Sequence, residues 1–303
     1  MIVFYYTDID NLAEILSMTS RANQRLVLKA IHRCYLNDDL QRTFARYILP
    51  SCISSVEEEI NVDAQWRVSP MFMQQDFIQY ILNTVSTFDD HRVGLESFVL
   101  SFSEDQDNSE LWNKCGNGGR GVALGFDTDK IKPDHERFVN VRMDKCIYWS
   151  DDIKNPGFKL DTASKLYASI RETYKMMIDP RVLDSFKKIY NQEHHDTLAS
   201  QRIKISLIEN LITTFDVFNK QDVWRNEKEY RISLSPLPLD VEYAKDANGD
   251  YIPYAEVQFP VDALRMMVIG PRCGKNAYGM VKSLLSHKGI SQDVQVLSSA
   301  LRH

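Results

Sequence analysis

The chain has 303 residues, 44% of them hydrophobic, and a formal net charge of -6. That apolar content is ample for a packed core and excludes an intrinsically disordered chain, while the negative balance excludes a surface that binds nucleic acid or anionic membrane wholesale. Its five cysteines are widely spaced and form no C-x-x-C pair, which argues against a disulfide framework or a structural zinc site and fits a reducing cytoplasm.

The opening MIVFYYTDID lacks the basic flank, long apolar run and small-residue cleavage site of a secretory signal. No window reaches the roughly 20 apolar residues that a bilayer-crossing helix needs, so a cytoplasmic protein without a membrane partner is expected. Ile2 to Thr7 is β-branched and aromatic and predicts a strand. Asp8 then caps a short amphipathic helix over Ile9 to Ser17. From Gln24 to Ile60 apolar residues recur at helical spacing, and a further helix is predicted over Met71 to Val85. The period changes at Ser97 to Ser103 and Gly121 to Phe126, which read as strands around a short helix near Ser109 to Lys114. Strand character returns at Phe138 to Tyr148. Thr162 to Met177 and Pro180 to Asn219 read as helices. They are followed by strands at Glu229 to Leu234, Tyr254 to Phe259, Met266 to Ile269 and Val294 to Leu297, with a helix over Asn276 to His287. No repeat or Pro/Gly-rich linker divides the chain. The expected architecture is α+β, one domain over 1–303 with large helical insertions at about 20–90 and 160–220.

Chemistry concentrates in two stretches. The first runs Ser101-Phe102-Ser103-Glu104-Asp105, then Asn108-Ser109-x-x-Trp112, then a glycine turn at Gly118 to Gly121, ending in Gly125-Phe126-Asp127. Ser101 and Ser103 alternate on a strand, so both hydroxyls share one face and can donate together to a ribose or phosphate. The second is Lys220-x-x-x-Trp224-x-x-Glu227-x-Glu229-Tyr230-Arg231. A strand starting at about Glu227 puts Glu227, Glu229 and Arg231 on one face, where one carboxylate pairs with Arg231 and the other faces substrate. Each pattern also has a bland reading, as an exposed edge strand and as a solvated charge ladder.

Other features carry less. His194-His195 diverge by about 100° on a helix, with no ligand pair at i+4, so no metal site is expected. Gly270 to Lys275 lacks the spacing of a phosphate loop and reads as a turn before the next helix. Neither Cys115 nor Cys273 is paired with a histidine by any sequence feature, and both are expected to be inert.

In order, F-S-E-x-x-x-N-S-x-x-W, G-x-G-V with F-D soon after, K-x-x-x-W-x-x-E-x-E-Y-R and finally I-G-P-x-C resemble a widespread bacterial family of unknown function, often found near phage-defence and toxin-antitoxin loci. The opening Phe4-Tyr5-Tyr6-Thr7 and the pair Asn37-Asp38 also resemble that family. Its order of polar elements resembles ADP-ribosyltransferases, which implies a mixed, mainly antiparallel ADP-ribosyltransferase-like sheet and NAD as substrate. The resemblance implies that Tyr5 or Tyr6 takes the first-strand position, that Ser101 and Ser103 take the second, and that Glu227 or Glu229 supplies the catalytic carboxylate. Tyr6 and Trp112 are the aromatic candidates for stacking on nicotinamide, and Arg231 lies beside the carboxylates. The implied partners are a macromolecular acceptor, protein or nucleic acid, and an antitoxin. An NAD glycohydrolase using the same pocket and a catalytically inactive binding module remain the alternatives. Of the two carboxylates, Glu229, inside the strand, is expected to carry the transition-state role and Glu227 an acceptor-side role.

Overall fold

A computed structural model gives the architecture. It describes residues 1–17, 25–36, 52, 55–56, 59, 97–132, 137–150, 152, 167–168, 171–172, 217–245, 249–290 and 294–301. The described residues form an α+β structure with a mostly antiparallel sheet. The strands are β1 (Ile2–Thr7), β2 (Arg25–His32), β3 (Phe98–Ser103), β4 (Val122–Asp127), β5 (Phe138–Lys145), β6 (Ile147–Trp149), β7 (Asn219–Gln221), β8 (Glu229–Pro236), β9 (Val241–Lys245), β10 (Tyr251–Pro260), β11 (Leu264–Ile269) and β12 (Gln295–Ser298); β6 and β7 pair in a small sheet of their own and the others make the main sheet. Helices described over their full length include α1 (Ile9–Ser17), α2 (Ser109–Lys114) and α3 (Ala277–His287), and residues 52, 55–56, 59, 167–168 and 171–172 are also helical. None is long and apolar enough to cross a membrane among the described residues.

The chain divides into two compact units. One gathers Met1–Asn37, Glu96–Ile147 and Val223–His303; the other gathers Asp38–Leu95 and Tyr148–Asp222. In the second, the Trp149 indole donates to Asn219 Oδ1 at 2.6 Å, and Glu59 accepts from Tyr167 and Arg171, each at 3.1 Å. The helices expected over 71–85 and 180–219 lie almost wholly outside the described residues, as does His194-His195.

One correction falls inside the first expected insertion. Residues 25–32 are the strand β2, not part of a helix. Leu26, Leu28 and Ala30 point into the core at 0–1% exposure, a period of two, and the strand is zipped along its length to β10 from Arg25↔Pro260 to Ile31↔Tyr254. Val27 and Ile31 on the outward side are apolar too, which blurs the alternation.

In the first unit β3 is the seam of the sheet. Along one edge it pairs with β8 from Phe98↔Leu234 to Ser103↔Glu229, and β8 pairs in turn with β5. Its other edge is shared: Val99 and Phe98 meet Ile31 and His32 of β2, while Ser103 meets Phe4 of β1. The sheet therefore forks into an arm β1-β4-β11-β12 and an arm β2-β10-β9. Between the arms lies the main core. It takes alternate residues such as Val3, Leu124 and Met267 from one arm and Leu28, Val257 and Phe259 from the other, closed by Leu12 and Leu16 of α1 and Val281 and Leu285 of α3. Phe126 and Phe259, one from each arm, have ring centroids 5.8 Å apart. On the opposite face of the first arm, Phe4, Tyr6, Ala123 and Val268 pack under Leu111 and Trp112 of α2.

The glycine turn is a packing device. A Cβ on Gly121 would stand 2.0 Å from the Thr7 carbonyl oxygen, and one on Gly270 would stand 2.4 Å from that of Gly119. The Gly119–Gly121 and Gly270–Cys273 turns lock backbone to backbone, with Gly270 N donating to Gly121 O and Arg272 N to Gly119 O.

Candidate functional site

Pairing across β1, β3 and β8 brings the dispersed motifs together. Phe4, Ser103 and Glu229 lie in one cross-strand row, and Ser101 faces Arg231 in the next. Directly paired residues share a face, so Phe4, Tyr6, Ser101, Ser103, Glu229 and Arg231 all lie on the face that α2 covers in part. Tyr5 does not join them. It packs against the core on the other face, its ring 5.9 Å from that of Phe102, and burial pushes its phenol up to about 12.

Glu229 and Arg231 are 5% and 1% exposed. The guanidinium grips the carboxylate with both ends, Arg231 Nε to Oε1 at 2.7 Å and Nη2 to Oε2 at 2.9 Å. Two residues of spacing on one strand make that fork possible, and the fork compensates a charge that burial otherwise penalises heavily. The Cys146 thiol approaches the same Oε2 at 3.8 Å, and Cys146 N donates to the Glu229 carbonyl at 2.8 Å.

Glu227 departs from the expected strand face. β8 starts at Glu229, Glu227 ends a 3-10 stretch over Asp222–Glu227, and Lys228 between them has φ 44°, in the left-handed region. That turn breaks the alternation, yet Glu227 is also buried, at 4%. Its Oε1 pairs with Lys114 Nζ at 3.1 Å, and the same ammonium lies 4.6 Å from the centroid of the Trp224 ring. Its carbonyl accepts from Ser103 Oγ at 2.7 Å.

The two chemical stretches are therefore joined to each other. Asn108 caps α2, accepting from Glu110 N and Leu111 N, and donates from Nδ2 to the Asn226 carbonyl at 2.7 Å. Asn226 Nδ2 donates to Glu110 Oε1 at 3.2 Å, and Lys228 Nζ meets Asp105 Oδ2 at 3.4 Å. Tyr6 joins the network from β1, its hydroxyl donating to Asp105 O at 2.7 Å and accepting from Asn108 N at 2.9 Å. Burial raises the Tyr6 phenol well above the usual tyrosine range. Trp112 is 1% exposed and stands edge-on to Tyr6 at 4.8 Å, its indole donating to Asp107 Oδ1 at 2.7 Å. Both rings are thus packed into the protein and offer no open face for a ligand to stack on.

Tyr6, Ser101, Ser103, Trp112, Glu227, Glu229 and Arg231 are contiguous, and Tyr5 lies apart. Asp105, named in the first stretch without a role, belongs to the same cluster, as do Lys114, Asp107 and Asn226, to which no sequence motif assigned a part in the site. Of these only Lys114 carried a signal, a cation at the end of a short helix beside the Trp112 motif. The Cys273 thiol touches the Gly121 carbonyl at 3.3 Å and is pushed up by burial, as suits an inert side chain.

No curated protein and no solved structure matches the chain. Residues 111–232, from α2 into β8 and including Trp112, Glu227, Glu229 and Arg231, match the model of a family described as a protein of unknown function, DUF2971.

Proposed function

We propose that the chain is an ADP-ribosyltransferase that cleaves the nicotinamide–ribose bond of NAD and passes ADP-ribose to a macromolecular acceptor. What supports this reading is the adjacency of β1, β3 and β8, which sets a tyrosine, two serines and a glutamate from three distant motifs on one face of one sheet. The bond to nicotinamide breaks with positive charge developing on the ribose, and a preorganised carboxylate next to it lowers that barrier. Glu229 fills this role, held in one orientation by the Arg231 fork. Ser101 and Ser103 donate to the ribose or phosphate, and Glu227, at the turn before the strand, orients the acceptor. Because Glu229, Ser103 and Tyr6 are buried, NAD binding in this reading follows an opening movement of the cluster. The likeness of the motifs to a family found near phage-defence and toxin-antitoxin loci supports a toxin or defence effector, held in check by an antitoxin.

The test is incubation with NAD labelled in its adenylate half, followed by separate measurement of free ADP-ribose, labelled protein and labelled nucleic acid. Transfer is expected in the wild type. Glu229→Gln keeps shape and hydrogen bonding but removes charge, and should lower cleavage at least about 100-fold. Glu227→Gln should reduce transfer more than hydrolysis. Free ADP-ribose as the sole product makes the protein a glycohydrolase, and no cleavage at all leaves a binding module. Near-normal cleavage by Glu229→Gln with loss in Glu227→Gln reverses the two roles.

A further inference from the structure

The loop between β3 and α2 is tied to a part of the chain that no site motif contains. Asp107, half-buried in that loop, accepts three hydrogen bonds beyond its own turn. Trp112 Nε1 donates to Oδ1 at 2.7 Å, Ser299 Oγ to Oδ1 at 2.6 Å, and Ala300 N to Oδ2 at 2.7 Å. Ser299 and Ala300 follow β12, the strand that ends the β1-β4-β11-β12 arm. Their segment is fixed at its root by Ser299 N donating to Ile269 O at 2.8 Å, and is turned back by Leu301 N donating to Ser299 Oγ at 3.1 Å. One carboxylate thus holds the edge of the arm, the indole of α2 and the loop itself.

We propose that Asp107 is a positioning residue that clips residues 299–301 to the site loop and so sets the placement of Glu227. The path is short and continuous. From Asp107 it runs to Asn108, whose side chain holds the Asn226 carbonyl, and from Trp112 to Tyr6, whose hydroxyl spans Asp105 and Asn108. Asp105 N in turn donates to Ser103 Oγ at 3.0 Å, the hydroxyl that holds the Glu227 carbonyl. Hydrogen bonds to a charged acceptor are stronger than neutral ones, and a carboxylate that loses one donor re-aims toward those that remain. Loss of the Ser299 hydroxyl therefore pulls Asp107 toward Trp112 and Ala300 and shifts the loop. A displacement well under the size of an atom at a reacting group is enough to be read in turnover.

The clip's effect on turnover rests on the transferase reading; its effect on the loop does not. The experiment compares the wild type with Ser299→Ala, Ser299→Thr and Asp107→Asn in nitrogen–proton spectra. It follows the Trp112 indole N–H, assigned by substituting the four tryptophans in turn, and the amides of Asn226 and Glu227. NAD cleavage is measured on the same samples. Ser299→Ala should move all three resonances and lower kcat about tenfold while KM for NAD stays within about twofold. Ser299→Thr, which keeps the hydroxyl, should restore both. An unmoved indole resonance in Ser299→Ala overturns the clip. A moved indole with unmoved Asn226 and Glu227 amides and unchanged kcat overturns the positioning role. If the wild type cleaves no NAD, the transferase reading falls and the amide shifts alone decide for or against the clip. Should Asp107→Asn fail to fold, the serine pair carries the comparison.

Discussion

Arg231 brings a full charge to a position 1% exposed, and the carboxylate two residues before it, held at two points, is one compensation for that charge. The pair's net contribution to stability is small, because desolvation offsets most of the attraction, but removing one partner takes from the other the two-point fork that compensates its buried charge. Arg231→Met should therefore cost about 3–5 kcal/mol, read as a lower urea midpoint, and Arg231→Met with Glu229→Gln together should recover a large part of it. A single variant as stable as the wild type would mean that Glu229 is not buried in solution. Tyr5 gives a second test, in alkali. Its phenol is raised to about 12, chiefly by burial and then by the charge of Cys115, against an unfolded value near 10. The folded state favours the protonated form, so the contribution is complete below about pH 10 and is lost as pH rises toward 12, where the unfolded chain sheds the proton first. Tyr5→Phe has no proton to lose, and its stability should fall less steeply between pH 10 and 12 in chemical denaturation. Parallel curves would contradict the burial of that hydroxyl.

At the level of elements, the hairpin-like packing of the Gly119–Gly121 turn predicts opposite outcomes for two substitutions of one kind. Gly121→Ala sets a methyl 2.0 Å from a backbone oxygen that cannot step aside, and should cost at least about 3 kcal/mol. Gly279 lies within α3 with nothing near its missing Cβ, so Gly279→Ala should stabilise by about 0.5–1 kcal/mol. Melting temperatures of the two variants check both signs. The same contrast explains what could be read from the chain. β1, α1, β3, α2 and α3 were legible to within a residue or so, because capping residues and changes of period mark their ends. β2 was not, since Val27 and Ile31 fill its outer face with apolar residues. β9 was not either, because its five residues carry charges and an exposed Tyr243 and show no buried face. Around the site, the shared face of Ser101 and Ser103 and that of Glu229 and Arg231 were readable from alternation, whereas the roles given to them came from the family resemblance. The bridges from Lys114 to Glu227 and from Asp107 to Ser299 join ordinary polar residues far apart in the chain. Nothing in local sequence announces the left-handed turn at Lys228, a residue type with no preference for it.

Across the whole molecule, the net charge of -6 bears on the proposed acceptor. In the transferase reading proposed above, an acceptor that meets the Lys220 to Arg231 segment of the sequence should make few phosphate contacts. A plot of log affinity against log salt should then have a slope no steeper than about -2, measurable by titration at several ionic strengths. A much steeper slope would point to a nucleic acid gripped along an extended basic track. The interleaving of the chain has a different outcome, one that concerns the order in which the ribosome delivers it. The Ser103 hydroxyl waits 124 residues for the carbonyl it binds, and Ser299 reaches Asp107 192 residues after that carboxylate was made. At about 5–20 residues per second, β3 stands for some 6–25 s without β8 along its open edge, a nascent strand fit for capture by a chaperone. A product released before residue 229 lacks the row that joins Ser103 to Glu229, so in the transferase reading proposed above such a product should cleave no NAD.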